Sequence, residues 1–297
     1  MSADSVLAAR ATHDGLLTRL WDGRTKYLVG AICLALCTLM LTPLVLSILA
    51  SVKSTAEAAA LPPVYIPSAI TLDSYERLWS YQAGLPTYLL NSFGTAFLTI
   101  GFVLVLTVPA AYALSRFSIP GKEILFVALL MALIIPYQAL LTPMFLMFAQ
   151  LKLTNTLLGL AILHTTIQIP FSLYILRNSF AAVPRELEEA AVMDGANSWQ
   201  VLRRIFIPSV VPATITVALF AFVTSWNEFL GALVMMSKGT SFTLPVILAA
   251  ARTETSLGGT DWGMLQAGVT ISIIPCIGVY LLLQKYYVSG LMSGAVK

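Results

Sequence analysis

A single carboxylate, Glu228, lies deep between apolar runs of this sequence, with Asn227 directly before it. His164 and Gln168 stand four apart in another apolar run, so they share a helix face. Tyr137 and Gln138 follow Pro136 in a third run, and Asn91 opens a fourth. Two chemistries fit these side chains. Amides, a carboxylate and aromatic rings line a path for a hydroxyl-rich solute by hydrogen bonding and stacking, or the same groups satisfy one another between packed helices. Neighbours such as Asn227 and Glu228 diverge by about 100° on a helix, so both need not face one cavity. Catalysis is not indicated. His164 is the one base at such depth, there is no H-E-x-x-H string, and no acidic pair shares a helix face. Cys33 and Cys37 also share a face, but a closed zinc site takes about four ligands and no His stands near them, so no metal site is expected.

A second concentration of chemistry is the polar stretch from Arg177 to Ile207. Pro184 suits a helix start, followed by the acidic first turn Glu186, Glu188 and Glu189 that the helix dipole favours. Leu187, Ala190, Ala191 and Asp194 recur on one face, mostly apolar and small. Gly195 supplies a left-handed stop, and Asn197 or Ser198 caps a second helix carrying Val201, Leu202, Ile205 and Phe206 before Pro208. The result is a helix–glycine–helix elbow. It either tucks against its own bundle or offers small residues to another protein.

The elements that hold these residues follow from composition. Of 297 residues, 58% are hydrophobic and 10% charged, with mean hydropathy +0.85. Soluble domains carry about 25% charge. Six stretches lack charge altogether, namely 27–52, 78–115, 124–151, 153–176, 205–227 and 262–284, and each has at least 23 residues. A bilayer-spanning helix needs about 20. The expectation is an all-α polytopic membrane protein with six transmembrane helices near 28–50, 88–114, 124–149, 155–176, 208–235 and 264–287. The first span is too long for a signal peptide's apolar core and is read as retained. Twelve Lys and Arg fall on the side of the termini and the 177–207 loop against five on the other. The positive-inside rule therefore makes both termini cytoplasmic. Residues 1–27 form one cytoplasmic tail and 291–297 the other, around a transmembrane domain of 28–290. The external segments, roughly 51–87 and 237–262, hold Pro, Gly, Trp and Tyr suited to interfacial anchoring or to docking a partner. A net charge of +3 gives no sign of nucleic acid.

One string is specific. Glu189-Ala190-Ala191, three residues, Gly195, nine residues, Ile205, one residue, Ile207 and Pro208 resemble the cytoplasmic loop of binding-protein-dependent ABC importer permeases, with Ile207 where that family usually has Leu. Asn91-Ser92, the run Ala111-Tyr112-Ala113-Leu114-Ser115-Arg116-Phe117, Trp226-Asn227-Glu228-Phe229 and the tail from Val288 to Lys297 narrow the resemblance to carbohydrate importers. Within these the chain resembles the smaller permease of the maltose type.

The resemblance implies a type I ABC importer permease fold in a bacterial plasma (inner) membrane. It also implies a second permease, a different chain in most of the family, two ATPase subunits and an extracytoplasmic solute-binding protein. Function is then import of a sugar or sugar derivative. ATP and Mg would be bound by the ATPase subunits, since this chain has no phosphate-cradling loop and its Gly121-Lys122 precedes Glu123. Carried over residue by residue, Glu189, Ala190, Ala191 and Gly195 form the ATPase-docking core. Arg185, Glu188 and Asp194 surround it, and Ile205 and Pro208 complete the string. Ser289, Gly290 and Gly294 become a C-terminal ATPase contact. In such a permease the polar residues read within the spans, Asn91, Tyr137, Gln138, His164, Gln168, Asn227 and Glu228, are the candidates for the substrate path. The alternative is an ion-coupled secondary transporter, which would use intramembrane carboxylates and inverted repeats; one carboxylate and no detectable repeat argue against it.

Overall fold

The computed structural model describes residues 3–251 and 260–295, with side chains over 25–251 and 260–284. Among the described residues every regular element is helical. In chain order these are α1 (Ala3–Ser51), α2 (Thr55–Ala58), α3 (Asp73–Ser80), α4 (Leu85–Arg116), α5 (Lys122–Met131), α6 (Tyr137–Gln150) and α7 (Leu157–Ala181). The elbow follows as α8 (Arg185–Met193), α9 (Ser198–Val201), a π turn over Leu202–Phe206 and α10 (Ile207–Ser209). Then come α11 (Val211–Asn227), α12 (Leu230–Met235), a 3-10 turn (Gly239–Ser241), α13 (Leu244–Ala251) and α14 (Trp262–Ala295).

By length and apolarity, Thr25–Ser51, Leu85–Arg116, Leu157–Ala181 and Trp262–Gln284 each suffice to cross a bilayer. The side chains of α1 suit an apolar surrounding medium. Leu34 and Leu39 are 70% exposed and Met40 77%, so this helix turns apolar surface outward between Tyr27 and Ile48. It lies against α14, to which a Ser47–Gln266 hydrogen bond ties it.

Two expected spans are interrupted. Residues 124–149 form α5 and α6, parted at 132–136, where Pro136 has the extended ψ of 116° and caps α6. The span expected at 208–235 stops at Asn227 and resumes as α12, with Glu228 extended at ψ 123°. Pro109, Pro170 and Pro275 lie inside α4, α7 and α14.

The bundle centres on α4, α7 and α11. At one end Val103, Ala111, Leu176, Phe180, Phe206 and Val217 form a core shared with the elbow. At the other, Leu78, Tyr88, Ala96, Trp226, Ile247 and Ala267 pack together, with the Trp226 indole N–H donating to the Ser272 carbonyl at 3.0 Å. The two segments expected outside are joined here. Arg77 donates twice to Asp261, at 2.8 and 3.2 Å, and Asp261 also accepts from the Met264 backbone N–H at 2.9 Å in the first turn of α14.

The start of α7 is sterically demanding. A Cβ on Gly159 would lie 2.0 Å from the Leu153 carbonyl oxygen, whereas one on Gly94 would meet Leu157 at an ordinary 3.6 Å. We expect Gly159→Ala to destabilise the protein by about 1–3 kcal/mol through forced backbone movement. Gly94→Ala should be neutral or stabilising by up to about 1 kcal/mol, because alanine is the better helix former. Thermal unfolding of the two purified variants in one detergent should show a lowered midpoint for Gly159→Ala and an unchanged or raised one for Gly94→Ala.

Candidate functional site

Two constellations emerge, an elbow at one end of the bundle and a buried carboxylate within it. The elbow begins later than its polar composition suggests, since α7 continues through Arg177 to Ala181. Arg177 donates to the exposed Glu123 carboxylate at 2.5 Å, which ties the end of α7 to the start of α5. Pro184 stands one residue ahead of its expected place, as the extended N-cap of α8 with ψ 140°.

The turn after α8 has the backbone of a Schellman motif. The Ala196 N–H donates to the Ala191 carbonyl and the Gly195 N–H to that of Val192, both at 2.9 Å. Gly195 makes this possible with φ +83°, in the left-handed region. Asn197, not Ser198, then caps α9: its side chain accepts from the Gln200 N–H while Gln200 accepts from the Asn197 N–H, each at 2.9 Å. The π turn follows, and the chain bends by 79° between the Ser198–Ser209 segment and α11.

The face of α8 divides. Ala191 packs on the shared core, and Glu188 points inward, accepting from the Tyr112 hydroxyl at 3.5 Å and lying 3.9 Å from Arg116. Arg185, Glu189, Ala190, Asp194 and Gly195 are exposed, as are Val192 at 57% and Met193 at 88%. Trp199 on α9 is 63% exposed. Ile205 is half-buried and Pro208 exposed. Apolar side chains standing in the open beside carboxylates are what a protein-docking ridge requires.

Arg116, the last residue of α4, is not among the site residues expected from the sequence. Its side chain is 4% exposed, its Nη2 donates to the carbonyls of Phe180 and Val183, and its guanidinium lies 4.6 Å from the Phe206 ring centroid. One turn earlier, Tyr112 packs against Phe206 and Phe180 at 5.0 and 6.0 Å between ring centroids. The available signal was a basic residue at a helix end followed by Phe, which reads equally well as a membrane-flanking charge.

Around Glu228 the structure brings together three of the singled-out side chains and two others. One carboxylate oxygen accepts from the Tyr137 hydroxyl at 2.6 Å and the Gly231 N–H at 2.7 Å. The second accepts from the Ala232 N–H at 2.9 Å and faces His164 Nε2 at 3.2 Å. His164 Nδ1 continues to Ser225 Oγ at 2.8 Å, and Ser225 to Thr99 at 3.4 Å. This chain links α6, α12, α7, α11 and α4. Glu228 is 8% exposed and His164 fully buried. Gly231 lets the first turn of α12 close on the carboxylate, since a Cβ there would sit 3.0 Å from its oxygen.

The remaining candidates lie elsewhere. Asn91 donates to the carbonyls of Thr240 and Phe242, each at 2.9 Å, fastening the segment after α12 to the start of α4. Asn227 is exposed and donates back to Val223 in its own helix at 2.8 Å. Gln168 is buried, and its Nε2 has no hydrogen-bond partner among the described residues. Gln138 is exposed and, with Tyr137, Pro136, Thr166 and Pro170, lines a cavity of about 310 Å³ beside the break between α5 and α6. Ser289, Gly290 and Gly294 fall in the last turns of α14, but their side chains lie outside the described residues.

Residues 103–292 match the family described as the binding-protein-dependent transport system inner membrane component. The chain is 35% identical to the trehalose transport system permease protein SugB of Mycobacterium tuberculosis, over 78% of this chain and 84% of that one. It is 30% identical to the sulfoquinovosyl glycerol transport system permease protein SmoH of Agrobacterium fabrum, over 97% and 98%. Its fold superimposes on a chain of a bacterial ABC transporter involved in import of the acidic polysaccharide alginate, with TM-score 0.77 and 26% identity over 89% of this chain and 97% of that one.

Proposed function

This chain belongs to the binding-protein-dependent transport family and is a permease subunit of an ABC importer, from which premise we propose that its cargo is a carbohydrate or carbohydrate derivative. Relatives named for trehalose and sulfoquinovosyl glycerol support that cargo class. It works in the bacterial inner membrane with both termini cytoplasmic, α5–α6 counting as one span and α11–α12 as another. A second, different permease completes the path, a solute-binding protein delivers cargo from outside, and two ATPase subunits hold ATP and Mg on the inside.

The single observation that carries the coupling reading is the divided face of α8. Glu188 and Ala191 hold the elbow to the bundle, while Arg185, Glu189, Ala190, Asp194 and Gly195 stay exposed for the ATPase. Ile205 and Pro208 join that ridge to α11, and Ser289, Gly290 and Gly294 offer the ATPase a second contact. Closure of the ATPase pair then moves α8 as a body, and the shared core passes the motion to α4, α7 and α11.

For the solute path we assign Tyr137 and Gln138 to the wall of the cavity at the α5–α6 break. Glu228 and His164 hold that wall in register from behind, and Asn91, Gln168 and Asn227 shape the helices around it. The test is uptake of labelled sugars into vesicles bearing the assembled importer. Uptake should require both ATP and the binding protein and should survive collapse of ion gradients. Uptake that persists without ATP and vanishes with the gradient would overturn the assignment.

A further inference from the structure

We propose that Arg116 is the positioning residue through which motion of the elbow reaches the bundle, an inference that rests on the coupling reading of α8. Four separate pieces of chain meet at its guanidinium. It ends α4, donates to the carbonyls of Phe180 at the close of α7 and of Val183 in the turn beyond, lies 3.9 Å from Glu188 on α8, and sits over Phe206 in the π turn.

A residue that merely capped α7 would need only the carbonyl contacts. The carboxylate of Glu188 and the ring of Phe206 lie on the two arms of the elbow, one on each side of Gly195. The guanidinium therefore holds both arms against the same helix ends. Planarity matters here. An arginine fork engages carbonyls at its edge while its face rests on a ring, which a lysine ammonium does not reproduce. Tyr112, also on α4, touches Phe180, Phe206 and Glu188 and so backs the same junction. The π turn adds a reason for a clamp: its backbone departs from the regular helix shortly before the chain bends toward α11 at Val210, and such turns are frequent at functional positions.

The experiment uses the complete importer in vesicles, with Arg116→Lys, Arg116→Met and, in parallel, Glu189→Lys on the exposed face of α8. Uptake and binding-protein-stimulated ATP hydrolysis are both divided by the amount of ATPase that co-purifies with the permease. Expected is co-purification near the parent level, with uptake per assembled complex down roughly tenfold in Arg116→Met and severalfold in Arg116→Lys. ATP hydrolysis should become less dependent on the binding protein, the signature of a docked but slackly connected elbow. Per-complex uptake and stimulation within about twofold of the parent in both Arg116 variants would overturn the proposal. So would losses that only track the amount of assembled complex, since those reveal a folding role. Should Arg116→Met fail to assemble, Arg116→Lys decides alone. Normal transport by Glu189→Lys would instead defeat the coupling reading itself. Failure of that variant beside normal Arg116 variants defeats only the clamp.

Discussion

Replacing Glu228 by glutamine is expected to destabilise the protein by about 1–3 kcal/mol, the cost of one buried donor left without an acceptor. The carboxylate serves four donors with two oxygens, and two of those donors are backbone N–H groups, Gly231 and Ala232, in the first turn of α12. Glutamine brings one oxygen and one NH2. Whichever way the amide is turned, its NH2 meets one of the two N–H groups, and neither backbone donor can reverse its polarity. His164 can adapt by changing tautomer, and the Tyr137 hydroxyl by rotating. Glu228→Ala strands both N–H groups and should cost roughly twice as much, about 3 kcal/mol or more. Thermal unfolding in detergent and the yield of assembled importer read both variants. A Glu228→Gln protein as stable as its parent would show that the break after α11 is held by something other than this carboxylate. Glu228→Asp is the useful companion. It keeps the charge on a stem one methylene shorter, so loss of stability there identifies reach rather than charge as the requirement.

Glu228 also shows where reading the sequence runs out. Its isolation among apolar residues was plain, but the break it caps was not, because Trp226 through Leu230 contains neither Gly nor Pro and the apolar run continues to Met236. The helix stops because a carboxylate folds back on the next turn and finds Tyr137 and His164, partners 91 and 64 residues away. Local pattern carries no trace of such pairs. The elbow was legible for the opposite reason. Gly195, Asn197 and Gln200 act on backbone groups within a few residues of themselves, so their chemistry is written in adjacent positions. Arg116 is intermediate, its helix-end position visible and its contacts, with Phe180, Val183, Glu188 and Phe206, assembled only by packing α4 on α7. Glu188 reads like Glu189 in the sequence, yet a difference of one position turns the first to the bundle and leaves the second exposed.

That difference shapes the second large prediction, that Gly195→Val abolishes uptake while the protein still inserts. At φ +83° a left-handed residue with a side chain costs about 1–2 kcal/mol, and a β-branched one is a true outlier there. The penalty is purely conformational, because a Cβ on Gly195 would meet no atom of this chain within 4 Å. Valine therefore relieves the strain by abandoning the Schellman turn, which releases the Val192 and Ala191 carbonyls and swings α8 away from its alignment with α9. The spans are untouched, so insertion persists and coupling is lost. Gly195→Asn separates this account from a simpler one. Asparagine tolerates the left-handed region, so it should keep the turn and most of the uptake. If the glycine is needed instead because the ATPase backbone approaches it closely, asparagine fails as completely as valine. Uptake and ATPase co-purification for the pair distinguish the two, and Glu189→Lys, exposed on the preceding helix, should lose uptake with the turn intact.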